Sequence, residues 1–186
     1  MRDWRNILIS LKVMTEEQRD LCSGLTIFPN GSSRISKKDF MRRFPSAVEH
    51  GKLASRLLED AYVAQDGDEL ECALTVGFTF GFAAEHTKIL NRLVEADWHI
   101  RHEDVVSALD ELRSPDSVEA LFRATQWIPK SLEYDDSRAL AVKAIWALGK
   151  IPGSEVEAKL EALAHSDDPI LRKTAEEQLD RRHKRN

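Results

Sequence analysis

Between residues 97 and 179 the chain returns three times to one order of residues, and this constrains its fold more than any other feature. Asp97-Trp98-His99-Ile100-Arg101 leads to Val105, Ala108-Leu109 and Leu112, then to the turn Pro115-Asp116-Ser117 and to Val118, Ala120 and Leu121. Asp135-Asp136 leads to Leu140, Ala144 and Ala147-Leu148-Gly149, then to Pro152-Gly153-Ser154, Val156 and Leu160. Asp167-Asp168-Pro169-Ile170-Leu171-Arg172 leads to Ala175 and Leu179. The equivalent Leu109, Leu148 and Leu179 stand 39 and 31 residues apart. Each unit is an acidic turn, a helix with small Ala positions, a Pro-led turn and a second helix with spaced Leu. Acids ahead of a helix satisfy its orphan N–H groups and its dipole. One such pair cannot bury its apolar stripe alone, so the pairs must pack on one another.

Ahead of the repeat the helical signals are clear from Ser36 onward. Ser36 followed by Asp39 reads as an N-cap with an acid at the third helical position, and Pro45 ends that helix near Phe44. Ser46 is expected to cap a second helix running to about Gln65, with Val48, Leu53, Leu57, Leu58 and Ala61 on one stripe. Asp66-Gly67-Asp68 makes a turn and a new cap for a helix over 68–84 that is apolar nearly all round. Its Gly77-x3-Gly81 spacing would set two glycines on one face. The run from Val76 to Phe82 also carries β character, so a strand competes with helix there. A further helix is expected over 85–95. Residues 1–35 form an irregular N-terminal cap segment, in which Pro29-Asn30-Gly31 marks a loop. Residues 36–186 are then the repeat domain.

Asp168-Pro169-Ile170-Leu171-Arg172 and Ala147-Leu148-Gly149-Lys150-Ile151 resemble the HEAT-repeat family, in its short bacterial form, the lyase HEAT-like repeat. Ile100-Arg101 and Ala108-Leu109 follow the pattern less closely, with Asp110 where that family has Gly, and the loop over 129–137 is longer than its norm. The resemblance covers residues 85–183 and implies an all-α fold, an α-solenoid of about four antiparallel helix pairs.

The residues offer little for catalysis. No Walker loop, GxGxxG or GxSxG is present, so neither a cofactor nor a nucleophile is indicated. His99-x2-His102-Glu103 is the densest histidine cluster and has a spacing that metal ligands share, but it straddles a turn and a helix start, where polar residues cap and meet solvent. No metal site is expected there. Metal hydroxylases built on HEAT repeats carry several His-Glu pairs; here His102-Glu103 stands alone, with Glu85-His86 reversed. Cys22 and Cys72 lack metal-finger spacing and read as two buried thiols of a reducing compartment.

Charge says more. Residues 51–179 hold 14 Lys/Arg against 25 Asp/Glu, between two segments of net +3 each. Such a middle repels phosphate backbones and favours a basic protein partner. Asp97 with Trp98, Trp127, the run Glu133-Tyr134-Asp135-Asp136, and Asp167 with Asp168 place acids beside large rings at turns, and these are the candidate partner-binding residues. The plainer reading of Trp98 and Trp127 is that they fill seams between repeats. The basic run over 180–186 reads as a solvated, frayed end. The chain is expected to be cytoplasmic, a monomer or weak dimer, without nucleic acid or membrane as partner. A small, acidic, helical-repeat protein of this kind is similar to bacterial immunity proteins that cover the cationic site of a nuclease toxin. The alternative is a HEAT-type enzyme acting on nucleic acid, in the manner of a DNA glycosylase, or a lyase or scaffold subunit.

Overall fold

A computed structural model of the chain describes residues 14–27, 29, 31–44 and 52–184. Among these residues the protein is all-helical, with ten α-helices and no strand. No described helix is long and apolar enough to cross a membrane. The helices fall into two compact units divided after Gly81.

The first unit contains α1 (Glu16–Gly24), α2 (Lys37–Arg43), α3 (Lys52–Ala64) and α4 (Gly67–Phe80). Helix α1 corrects the expectation of an irregular segment over 1–35. Thr15 caps it through the Gln18 N–H while the Gln18 side chain accepts the Thr15 N–H, a complete capping box. Ser36 caps α2 and Asp66 caps α4, accepting from the Asp68 and Glu69 N–H groups. The expected cap at Ser46 and the start of its stripe at Val48 lie outside the described residues. Helices α3 and α4 pack face to face, and α1 lies against α4. Phe40 stacks on Phe44 and tilts against Phe80, with ring centroids 5.2 and 5.5 Å apart.

Helix α4 stops at Phe80, short of the expected 84. Gly81 follows at φ 97°, ψ 143°, a backbone conformation that β-carbons disfavour, and its N–H closes the last turn on the Gly77 carbonyl. Gly77 and Gly81 therefore do not share a helix face. Nor is the helix buried all round, since Phe78 and Phe80 are exposed.

The second unit contains α5 (Thr87–Leu93), α6 (His102–Leu112), α7 (Val118–Gln126), α8 (Ala139–Lys150), α9 (Ser154–Ala164) and α10 (Pro169–His183). Short 3₁₀ turns precede α5 and α7, and a third lies in the loop before α8. Helix α6 packs on α5 and α8, α7 on α8, and α10 on both α8 and α9. Ala108, Leu109, Ala144, Ile145, Leu148 and Ala175 are almost wholly buried, so the small Ala positions of the sequence lie in the core.

Ion pairs fix the direction of the helices. Glu103 pairs with Lys143 at 2.9 Å and Asp110 pairs with Lys150, both forty residues apart in the chain. The two contacts keep the same order along both helices, so α6 and α8 run parallel. Glu119 of α7 and Lys159 of α9 pair at the same separation of forty. From α8 to α10 the order is again kept: Arg138 meets Asp168 at the start, and Ile151 meets Arg182 at the end. Helices α6, α8 and α10 thus form a parallel row.

The far end of that row differs from the expected frayed terminus. The Arg182 guanidinium donates to the carbonyls of Gly149, Ile151 and Gly153, the free carbonyl end of α8 and its exit. Arg181 lies over the Trp146 ring, 4.1 Å from its centroid. Gly149 lets α10 approach: a Cβ there would sit only 3.0 Å from Cγ and Cδ of Gln178.

Candidate functional site

Parallel α6, α8 and α10 bring the turns before all three helices to one edge of the second unit. Those turns hold every partner-binding residue expected from the sequence. Four rings join the first turn to the second. Trp98 meets His99 edge-on at 4.8 Å, His99 stacks on His102 at 4.3 Å, and His102 meets Trp127 edge-on at 4.8 Å. Both indoles are half-buried. The histidines are 4 % and 1 % exposed, so they do not meet solvent at the helix start as the sequence suggested.

Their hydrogen bonds explain why they are inside. The His99 Nδ1 accepts the Arg101 N–H at 3.0 Å, so the proton lies on Nε2, which donates to the Leu93 carbonyl at 2.8 Å. The His102 Nε2 donates to the Ala96 carbonyl at 2.8 Å. These carbonyls lie at and just beyond the end of α5, where a helix leaves acceptors short of donors, and the Leu93 carbonyl also accepts the Ala96 N–H at 3.2 Å. Burial pushes the His99 pKa down to about 4, helped by neighbouring His102 and opposed by the Leu93 hydrogen bond. Burial also lowers the His102 pKa, against its hydrogen bond to Ala96. Both rings are therefore neutral near pH 7. With three of the four ring nitrogens turned to backbone, the pair acts as a structural clamp and has no free pair of lone pairs for a metal. Among the described residues no group of three His, Cys, Asp or Glu side chains is placed to hold a metal ion.

The second turn, over 127–138, is long and largely exposed. Tyr134 is 91 % exposed, and Glu133 and Asp136 beside it are exposed without partners among the described residues. Ile128 is also exposed. Asp135 is different. One carboxylate oxygen accepts from the Ser137 N–H and hydroxyl and the other from the Ala139 N–H, and these bonds, with Ser137 foremost, hold its pKa below the usual carboxylate range. Asp135 is thus the anchor of α8, which begins after a left-handed Arg138 at φ 54°.

At the third turn Asp168 caps α10 by accepting from the Ile170 and Leu171 N–H groups. Its other oxygen pairs with Arg138 at 3.3 Å, and Arg138 also donates to the Thr125 carbonyl. Of the expected binding residues, then, Asp135 and Asp168 hold the edge together. Asp97, Glu133, Tyr134, Asp136 and Asp167 are exposed on it, and Trp98 and Trp127 stand between the two groups. The sequence cast His99 and His102 as solvated caps, and missed that Arg138 ties the second turn to the third. Compared with known proteins, the chain matches no family model, no curated protein and no solved structure.

Proposed function

We propose that the second unit is a short HEAT-like solenoid and that the chain is a non-catalytic module that binds a basic protein. The observation that carries this reading is the shared edge. The turns before α6, α8 and α10 present Asp97, Glu133, Asp136 and Asp167 as exposed carboxylates on the edge that also carries the exposed ring of Tyr134. The edge also carries Arg101, Lys130, Arg138 and Arg172, but Arg138 is committed to Asp168, Arg101 pairs with Asp104 and Arg172 donates to the Ser166 carbonyl. Acids outnumber bases there, although the helix N-termini behind them favour anions. An aromatic ring amid charges that attract a basic surface has the make-up of a binding hot spot. The repeated forty-residue spacing of the ion pairs supports the solenoid reading, since stacked equivalent pairs reuse one translation.

The partner that fits this edge is a cationic domain of the kind found in nuclease toxins, and the chain would serve as its cytoplasmic immunity protein, a monomer or weak dimer. Its acidic character opposes nucleic acid or an anionic membrane as partner. The test compares the full chain with a charge-reversed variant, D97K/E133K/D136K/D167K, each immobilised and challenged with host lysate at low and high salt. The expected result is a basic protein retained by the wild type at low salt and lost with the variant. Retention of no basic protein, or equal retention by both, overturns the proposal.

A further inference from the structure

The first unit carries an apolar pocket that has no part in the edge. About 340 Å³ of space opens between the end of α1, the chain leading into α2 and the last two turns of α4. Leu25 and Ile27 line it from the first, Ile35 from the second and Phe78 from the third. Backbone contacts fix these walls. The Ile35 N–H donates to the Gly24 carbonyl at 3.0 Å, and the Ser33 hydroxyl donates to the Ile35 carbonyl at 2.8 Å. Gly24 permits that approach, since a Cβ there would stand 2.7 Å from Cγ2 of Ile35. The apolar surface still faces solvent, with Ile27 70 % and Phe78 40 % exposed. Ligand pockets have this make-up: on the order of 300–1,000 Å³, mostly apolar, with a few placed polar groups.

Charge gives the pocket a direction. Between Arg34 and Arg43 the chain has five basic side chains and one acid, Asp39. Arg34 pairs with Asp20, Arg42 with Asp39 and Arg43 with Glu17. Lys37 lines the pocket and pairs with no described acid; its ammonium lies 5.8 Å from the centroid of the Phe80 ring, at the end of α4. The other end is acidic. Beyond Thr26 and Thr75 lies a second, polar opening lined by Asp68 and Glu71, on the stripe of α4 that also bears Thr75 and Phe78. Arg19 lines that opening too, but Asp66 and Glu69 hold its guanidinium. An anion is therefore attracted at Lys37 and repelled beyond Thr75.

We propose that this pocket binds a free medium-chain alkyl carboxylate, with its carboxylate on Lys37 and its chain between Leu25, Ile35 and Phe78. The chain withdraws apolar surface from water on both sides of the contact, so binding strengthens with chain length. The carboxylate supplies the acid that Lys37 lacks. A lysine offers a compact point charge where an arginine offers a fork, so a small monoanion suits it. A neutral alcohol of the same length keeps the apolar contact and loses the charge.

The test titrates the isotope-labelled full chain with decanoate below its micellar range, followed by methyl NMR. One saturable site is expected, with shifts at the methyls of Leu25, Ile27 and Ile35. Decanoate should bind severalfold more tightly than octanoate, and more tightly than decanol. Lys37→Gln should weaken decanoate about fivefold and leave decanol unchanged, whereas Phe78→Ser should weaken both. Both side chains are exposed, and urea unfolding checks that each variant keeps its fold; Lys37→Gln decides alone where Phe78→Ser does not. Shifts that do not saturate overturn the proposal, as do saturable shifts confined to other methyls. Equal affinity for decanol and decanoate, or for octanoate and decanoate, overturns it as well, and so does a decanoate affinity that Lys37→Gln leaves unchanged.

Discussion

Single side chains in this protein carry backbone groups that its helix ends leave open. His102 closes the carbonyl of Ala96, His99 adds a second donor to that of Leu93, and Arg182 closes three at the exit of α8. The histidine clamp makes stability depend on pH in a definite sense. An unfolded His99 titrates near its ordinary value of about 6.5, whereas the folded one resists protonation down to about 4. Below pH 6.5 the unfolded state takes up a proton that the folded state refuses, so stability falls as pH falls through this window and levels off below pH 4. Protonation would also set an Nδ1–H against the Arg101 N–H. From this shift we expect a loss of about 2 kcal/mol between pH 7.5 and pH 5, read from urea unfolding at each pH. In His99→Gln the drop should be much shallower, even though the variant starts less stable. A wild-type stability that is flat across this range would show that His99 is not buried as a neutral ring. Arg182→Ala should cost about 1–3 kcal/mol, because carbonyls that are partly buried lose their donor, and Arg182→Lys should restore only part of it.

At the scale of helices, caps set where each element begins. Asp168→Ala removes both the cap of α10 and the pair with Arg138, and should cost about 1–2 kcal/mol in urea unfolding; Asp168→Asn, which keeps a capping oxygen, should recover most of that. The caps were readable in the sequence, since Ser36, Asp66 and Asp168 each stand just before an apolar period. Helix α1 was missed although Thr15 and Gln18 spell out its capping box, because only Leu21, Cys22 and Gly24 of its nine residues are buried and no apolar stripe announces it. The end of α4 was misplaced because Phe82, Ala83 and Ala84 prolong the apolar run beyond the glycine that breaks the helix. The ring cluster could be read only in part: Trp98 and Trp127 offered themselves as seam fillers, but Trp127 lies far along the chain from His102, and only the packing of the turns joins them. The register of α6 on α8, by contrast, left a trace in the sequence, as acids at 103 and 110 answer lysines at 143 and 150. Surface pairs of this kind, here half-buried, add about 0.2–1 kcal/mol each, so their role is to select the register more than to stabilise it.

For the whole molecule, the exposed acids of the edge separate binding from folding. Asp97, Glu133, Asp136 and Asp167 cap no helix and pair with no described cation, whereas Asp135 and Asp168 do one or both. Neutralising the first four, as D97N/E133Q/D136N/D167N, should therefore leave the circular dichroism spectrum and the urea midpoint close to wild type. The same change removes the charge that would draw a cationic surface in. Steering of this kind acts on association rates and weakens as salt screens it, with a Debye length of about 8 Å near physiological ionic strength. With short poly-lysine as the probe, we expect wild-type binding to weaken steeply as salt is raised from low to physiological strength. The neutralised variant should bind at least tenfold more weakly at low salt and show a flatter salt response. Tyr134→Ala in the wild-type background separates the ring from the charges. It should leave the salt dependence intact and reduce the affinity for a folded basic partner more than that for poly-lysine, because a ring contributes by seating in a pocket that a flexible polycation lacks. If the neutralised variant instead binds poly-lysine as well as the wild type, the attraction lies elsewhere on the acidic segment and the edge loses its claim.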